Sequence, residues 1–231
     1  MIEMLKKYLK SDKFKEDWHE LVETVIFVVV AVILIRFFVA EVRWIPSGSM
    51  RPTLLEGDRI IVERFSRFYS APQRGDIMVF YPPFVELKHS PVALFKRLTG
   101  FFCNDVAYIK RVIGLPGEKF EIKRDKTGAY TVFIDDKPLE EPYIKSKFEF
   151  TPCEDPRVNC GPFIIPENNY MMMGDNRGAS YDGRFWGTLD KKQFIGRTTF
   201  RFWPLNRIKF LGRHSMARVT TDENTSYNQQ Q

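Results

Sequence analysis

The 231-residue chain is short of the side chains on which most hydrolases and metalloproteins depend, with only 3 His and 3 Cys. No zinc-finger spacing and no H-E-x-x-H pair occurs, so no structural or catalytic metal site is expected. The phosphate-binding patterns G-x-x-x-x-G-K-[ST] and G-x-G-x-x-G are missing. So is any strand–helix–strand alternation, which sets aside the nucleotide-binding α/β folds. There is no internal repeat and no tract of one charge. The net charge of +6 is spread along the chain, and on that number anionic lipid is as good a partner as nucleic acid. Gly and Pro number 14 each, too few for a collagen-like chain. What is present fits a folded protein of one or two domains: 44% hydrophobic residues, 28% charged, and enough length to bury a core without staples. Its 21 Phe must be buried or lie at a membrane interface.

One long apolar run stands out. Residues 21–39 read LVETVIFVVVAVILIRFFV, uninterrupted from Val25 to Ile35. With its flanks it is long enough for a bilayer core of about 30 Å. Glu23 and Arg36 sit near its ends, where they can reach headgroups, and Trp18 and Trp44 flank it as interface anchors do. A buried core helix is the plainer alternative. A cleaved signal peptide fits poorly, because the apolar region is too long and Phe38 stands two places before Ala40. Lys6, Lys7, Lys10, Lys13 and Lys15 precede the run, against Arg43, Arg51 and Arg59 after it. That bias favours an inside N-terminus, blurred by Arg36.

Beyond Trp44 short β-type runs alternate with turn clusters such as QRGD, LPGE and IDDKP. The runs fall at 59–63, 76–81, 107–113, 118–123, 130–134 and 194–203. This spacing suggests an all-β barrel or sandwich. One segment departs from it. Ser90-Pro91 can open a helix, and Leu94, Phe95, Leu98, Phe101 and Phe102 recur near helical spacing with Lys96 and Arg97 between them. Such a helix either packs on the β-domain or lies on a membrane. Cys153 and Cys160 bracket the loop CEDPRVNC; a disulfide there would suit an oxidising compartment, and two reduced loop cysteines are equally open. The polar stretch 213–231 is expected to be disordered.

The scarcity of His narrows the chemistry. His19 precedes the apolar run and His214 opens the tail; His89, with Cys103, is the one His placed to act as a base. Without His or metal, the compact option is a Ser with a neutral Lys. An amine whose ordinary pKa is near 10.4 serves as a base only where burial disfavours its charge. IPSGSMRPTLLEGD sets Ser47 and Ser49 around a Gly, and YIKRVIGLPGE sets Lys110 in an apolar strand. Composition alone does not single these out, since a Lys in a β-run usually faces solvent.

Four blocks follow one another along the chain: IPSGSMRPTLLEGDRIIVERF, RGDIMVFYPP, YIKRVIGLPGE and MMMGDNRGASYDGRFWG. With these, and the apolar run ahead of them, the chain resembles the bacterial type I signal peptidases, membrane-anchored Ser/Lys endopeptidases. The likeness extends from residue 21 to about residue 203. It implies a mostly β protein: a basic cytoplasmic segment 1–20, a single transmembrane helix 21–40, an antiparallel β catalytic domain 41–212 and the tail 213–231. The amphipathic segment, read from the sequence as a short helical insertion over 84–106, looks longer than in many members, and the resemblance assigns it no role. It implies Ser49 as nucleophile, Lys110 as general base, Ser47 as oxyanion-hole hydroxyl and Ser180 as the hydroxyl that positions the amine. Asp182 and Arg184 match a supporting ion pair, and Ile45, Met50, Leu54, Tyr108 and Ile109 match or adjoin small substrate pockets. Asp175 and Arg177 read as turn and scaffold residues.

The implied reaction is removal of signal peptides from exported preproteins after A-x-A-like small residues. No cofactor, metal or nucleic acid is involved; the partners are signal peptides, membrane phospholipids and a nearby export translocon. The implied place is the bacterial inner membrane, with the catalytic domain on its outer face. Gly178-Ala179 and Gly183 depart from the family, which often has Asp-Asn and Ser there. Two other readings stay on the table. A self-cleaving repressor-type peptidase needs a soluble DNA-binding N-terminus, which 1–40 does not provide. A non-enzymatic membrane-tethered β-domain that binds secreted chains would be an inactive relative.

Overall fold

The computed structural model describes residues 12–35, 39–85, 90–92, 106–144, 152–211 and 218–219. Two compact units are distinguished: 1–39 with 89–103, and 40–88 with 104–231. The helix expected over 94–102 lies outside the described residues, as do 36–38 of the expected span and all but two residues of the tail.

In the first unit α1 (Asp12–Leu34) is a 23-residue helix with Asp12 in its first turn, where a carboxylate complements the helix dipole. Lys15 reaches back to Asp12 at 3.0 Å, one turn away. None of its residues is buried, and Phe27 is 73% exposed. Among the described residues no helix is long and apolar enough to cross a membrane. In α1 the charges of Asp17, Glu20 and Glu23 break up the first half, so only its C-terminal half is continuously apolar.

The second unit is built from β1 (Ala40–Trp44), β2 (Arg59–Glu63), β3 (Ile77–Phe80), β4 (Tyr108–Gly114), β5 (Lys119–Arg124), β6 (Tyr130–Ile134), β7 (Lys137–Glu140), β8 (Phe163–Ile164), β9 (Asn169–Met173), β10 (Leu189–Asp190), β11 (Phe194–Trp203), β12 (Lys209–Phe210) and β13 (Arg218–Val219). A one-turn helix α2 (Gly183–Trp186) follows β9. One sheet runs β1-β2-β11-β3-β4-β9-β10, with β12 paired to β11; the other runs β13-β7-β6-β5-β8. Every pairing is antiparallel. The fold is therefore mostly antiparallel β, and all six runs expected from the sequence are strands. Strands β7 and β9 escape a propensity reading: KPLE carries a Pro, and NYMMM has no β-branched residue.

The middle of the large sheet is covered on both faces. On β9, Tyr170 and Met172 join one apolar cluster with Met78, Phe80 and Val112, while Met171 and Met173 join another with Ile113, Phe120 and Ile134. This is the period of two expected of a strand buried on both sides. A third cluster, of Ile45, Met50, Leu54, Ile60, Val79 and Ile109, roots the loop after β1. That loop and the end of β4 carry the residues considered next.

Candidate active site

Ser49 sits in a 3-10 turn, Gly48–Met50, just beyond β1. Neighbouring apolar side chains hold the turn: Met50 and Leu54 are fully buried and Ile45 is nearly so. The Ile45 N–H donates to the Asp58 carbonyl and the Gly57 N–H to the Ile45 carbonyl, each at 2.9 Å, which closes the loop at its base. From the other side, the Asn176 backbone N–H donates to the Ser49 carbonyl and its side-chain amide to the Gly48 carbonyl, each at 3.1 Å. The Ser49 turn is thus held by the core below and by the loop after β9 above. Nothing in the sequence pointed to Asn176.

Lys110 lies on β4 opposite Met78 and is 4% exposed. Its Nζ donates to Ser49 Oγ at 2.7 Å across 61 positions of sequence. The ring of Tyr108 lies 5.5 Å from the amine. Burial lowers the Lys110 pKa to about 8; the charges of Asp182 and Asp175 oppose the shift and that of Arg184 assists it. Ser47 Oγ is 3.5 Å from Ser49 Oγ and makes no capping bond to the turn it precedes, so its hydroxyl is free to turn toward a bound group.

Asp182 and Arg184 form a buried fork, with the guanidinium donating to the carboxylate at 2.8 and 2.9 Å. Asp182 also accepts from the Gly174 N–H at 2.9 Å, and Arg184 donates to the Arg177 carbonyl at 2.9 Å. Burial pushes the Asp182 carboxyl up, but the bonds from Arg184 and Gly174 outweigh it and hold the pKa below its usual value. Ser180 Oγ is buried beside this carboxylate without a hydrogen bond of ordinary geometry. It forms no bond to Lys110 here.

A second fork lies next door. Arg111 donates to Asp175 at 2.8 and 2.6 Å, and Thr53 adds a bond to the same carboxylate at 2.5 Å. The Tyr143 ring stacks on the Arg111 guanidinium at 3.9 Å, and its hydroxyl donates to Glu141 at 2.6 Å. Glu141 in turn pairs with Arg177. Asp175 and Arg177, read as scaffold, are tied into the segment after β7 by residues the sequence did not single out: Arg111, Thr53, Glu141 and Tyr143.

Two glycines are required by space. A Cβ on Gly174 would come 2.5 Å from the Ser49 carbonyl oxygen and closer still to Ser180 Oγ. On Gly183, where the resembled family carries Ser, it would come 2.8 Å from both Met171 Sδ and the Met172 carbonyl. Met171 occupies the volume that a larger residue at 183 would need. Gly178 and Ala179 are exposed, and the carbonyls on either side of them, those of Arg177 and Ser180, accept from Arg184.

A groove of about 600 Å³ opens over the hydroxyl and amine, lined among others by Ser47, Ser49, Tyr108, Ile109, Lys110 and Tyr181. Of the five expected substrate-pocket residues, Tyr108 and Ile109 line it, while Ile45, Met50 and Leu54 lie in the core beneath. A second groove of about 610 Å³ lies elsewhere; its acids Asp76, Glu167 and Asp190 match its bases Lys191, Lys192 and Arg197. Cys153 and Cys160 are joined, S–S 2.08 Å, and the Ile122 N–H donates to the Cys160 carbonyl at 2.7 Å, so the loop packs along β5. His89 and Cys103 lie outside the described residues. Among the described residues no group of three or more His, Cys, Asp or Glu could hold a metal ion.

A buried hydroxyl bonded to a buried amine, on an antiparallel β framework, is the apparatus of a serine hydrolase whose base is a lysine. Residues 18–203 match the family described as "Signal peptidase, peptidase S26". The chain is 42% identical over 191 residues to "Signal peptidase I" of Leptolyngbya laminosa, covering 83% of this chain and 82% of that one. It is 37% identical over 220 residues to "Probable signal peptidase I-1" of Synechocystis sp., covering 94% and 100%. A crystal structure of a signal peptidase I from Enterococcus faecalis V583 aligns at 27% identity with a TM-score of 0.38, covering 56% of this chain and 98% of that one. The chain belongs to the signal peptidase family, peptidase S26, and is a serine endopeptidase of that family.

Proposed function

We propose that the chain removes N-terminal signal peptides from exported preproteins, cutting after A-x-A-like small residues, with Ser49 as nucleophile and Lys110 as base. The observation that carries this is the 2.7 Å bond between the two side chains, both buried, with the amine's pKa lowered toward neutrality. Ser49 Oγ attacks the scissile carbonyl and its proton passes to neutral Lys110 Nζ. Ser47 Oγ and the Ser49 backbone N–H hold the oxyanion. The tetrahedral intermediate collapses as Lys110 gives its proton to the leaving amine and the C–N bond breaks. A water then attacks the acyl ester, its proton going to Lys110, and the amine returns that proton to Ser49 as the new carboxyl end departs. Asp182 with Arg184, and Asp175 with Arg111, hold the loop that carries Ser180 beside the Ser49 turn. Each carboxylate, already held by an arginine, leaves Lys110 without a charge partner.

The substrate lies extended along β4. Strand β9 pairs with β4 only from Arg111 onward, so residues 108–110 have no strand partner on that side among the described residues. An added strand fits such an edge. Residues 21–40 are proposed as a retained anchor with the N-terminus inside; the exposed apolar side chains of α1 from Val25 to Leu34 and Trp18 ahead of them support it. The disulfide suits an extracytoplasmic catalytic domain. A nucleophile only a few residues past such an anchor works at the bilayer surface, where signal peptides end and lipid and the translocon are close.

The test is to incubate detergent-solubilised protein with an A-x-A preprotein, alongside Ser49→Ala. Cleavage after the last small residue, lost in the variant, supports the proposal. No cleavage by folded wild-type protein would move the reading to a domain that binds secreted chains without cutting them.

A further inference from the structure

Resting on that reading, and specifying the residue it leaves open, we propose that Tyr108, Phe84 and Tyr181 form an aromatic rim that selects a large apolar or aromatic side chain at substrate position −2, between the two small residues. Phe84 bridges the other two edge-on, with ring centroids 5.7 Å from Tyr108 and 5.9 Å from Tyr181. Tyr181 in turn lies on Phe185, centroids 5.1 Å apart. Phe84 is 51% exposed and Tyr181 53%, although both belong to a braced aromatic run beside the catalytic groove. Half-open rings braced in this way leave contact area unused in the free protein.

The alternation of a β-strand assigns this wall to one substrate residue. Ile109 joins the buried cluster of Met50 and Leu54, whereas Tyr108 packs with the cluster of Phe80 and Met172 on the other side. A substrate strand laid along residues 108–110 alternates in the same way. Its small residues at −1 and −3 face the Ile109 side, where the floor is close-packed core. The residue at −2 then faces Tyr108, Phe84 and Tyr181. The neighbouring base sharpens the choice: a carboxylate at −2 would hold the proton on Lys110, and a lysine or arginine would meet the ammonium formed during turnover. An uncharged aromatic side chain meets neither conflict.

Peptides with Ala at −1 and −3 and Phe, Ala or Glu at −2 provide the measurement. Wild-type protein is expected to show kcat/KM about 3- to 10-fold higher for Phe than for Ala, the usual worth of an aromatic pair. In Tyr181→Ala the Phe-to-Ala ratio falls to within about twofold of unity, and Tyr181→Phe, which keeps the ring, retains it. An unchanged ratio in Tyr181→Ala, whatever the absolute rates, overturns the rim. The same peptides titrated onto Ser49→Ala report the ratio as dissociation constants, without turnover. Equal constants for Phe and Ala overturn the rim even where wild type cleaves normally. A clear Phe preference in binding with no cleavage by wild type upholds the rim and counts against the peptidase reading instead.

Discussion

Lys110 and Arg111 are consecutive residues of β4 with opposite electrostatic settings. Arg111 is fully buried and forked onto Asp175 at 2.8 and 2.6 Å. Burial works against its charge, but the bonds to Asp175 outweigh it and keep the guanidinium pKa above its usual value. Lys110, nearly as buried, meets a neutral hydroxyl, and among the described residues no carboxylate forms a salt bridge with it. Alternation sends the two side chains to opposite faces of the strand. The carboxylates near enough to restore the amine's charge, Asp175 and Asp182, are each held by an arginine. The strand thus keeps one cation charged to tie the loop and leaves its neighbour with a lowered pKa and no ion-pair partner among the described residues, the setting that the proposed base requires.

Cleavage is therefore expected to fall away on the acid side with an apparent pKa of about 8, the value to which burial lowers Lys110. Below it the amine is protonated and cannot accept the Ser49 proton. The check is kcat/KM for one peptide from pH 5 to 10; a profile flat down to pH 5 refutes Lys110 as base. Lys110→Arg, which cannot lose its proton, should abolish turnover at every pH. Stability carries the same signature. The folded pKa lies below the ordinary 10.5, so between about pH 8 and 10.5 the unfolded chain holds the extra proton and stability rises with pH. That rise should vanish in Lys110→Met.

Removing the charge at 175 tests the neighbouring fork. Asp175→Asn leaves Arg111 buried without its partner, which typically costs about 3–5 kcal/mol. Denaturant melts should show the loss. The variant should also move the acid limb in the folded fraction to lower pH, because the Asp175 charge raises the Lys110 pKa. A stability loss with an unmoved limb would mean that the fork acts on the fold and not on the base.

Much of the β framework is legible in the sequence because its strands pair β-branched and aromatic residues with Gly, Pro and Asp turns. Residues 130–134 read as a strand and form β6 with those bounds. Strand β9 is not legible, since methionines carry no period and its burial on both faces comes from neighbours distant in sequence. The 2.7 Å meeting of Ser49 and Lys110 is equally hidden: a Ser beside Gly and a Lys in a strand have commoner explanations, and only the four ordered blocks direct attention to them. Arg111 illustrates the remaining difficulty. Alternation alone makes it a solvent-facing residue, and its partner lies 64 positions away. Asn176 and Tyr143 act through backbone carbonyls and ring stacking, which leave no spacing pattern to read.

Ser47→Ala should lower kcat by about 10²-fold with little change in KM, the behaviour of a donor that engages only the developing oxyanion. In the free enzyme its hydroxyl is 3.5 Å from Ser49 Oγ and caps no backbone group, so its removal should leave thermal stability unchanged. Steady-state kinetics beside a melting curve distinguishes this from a structural serine. Equal losses in kcat and stability would assign Ser47 to the fold.

Gly174→Ala separates the geometry of the site from its chemistry, because it changes no titratable or nucleophilic group. A methyl at 174 has no room: it would press on the Ser49 carbonyl at 2.5 Å and on Ser180 Oγ more closely. The Gly174 N–H donates to Asp182 at 2.9 Å and its carbonyl accepts from Arg177 at 3.1 Å, so the residue cannot retreat without breaking one of these bonds. The outlet is to push the Ser49 turn away from the loop. That would lengthen the bond between Ser49 and Lys110, and a displacement of about 1 Å costs on the order of 10² in rate. Turnover should fall by at least about that factor while much of the folded population survives, since overpacking typically costs about 1–3 kcal/mol. Far-ultraviolet circular dichroism establishes the fold, and labelling of Ser49 by an acylating inhibitor reads the geometry directly. Normal labelling in the variant would show that the turn tolerates the methyl, and that the contact between Gly174 and Ser49 does not position the nucleophile.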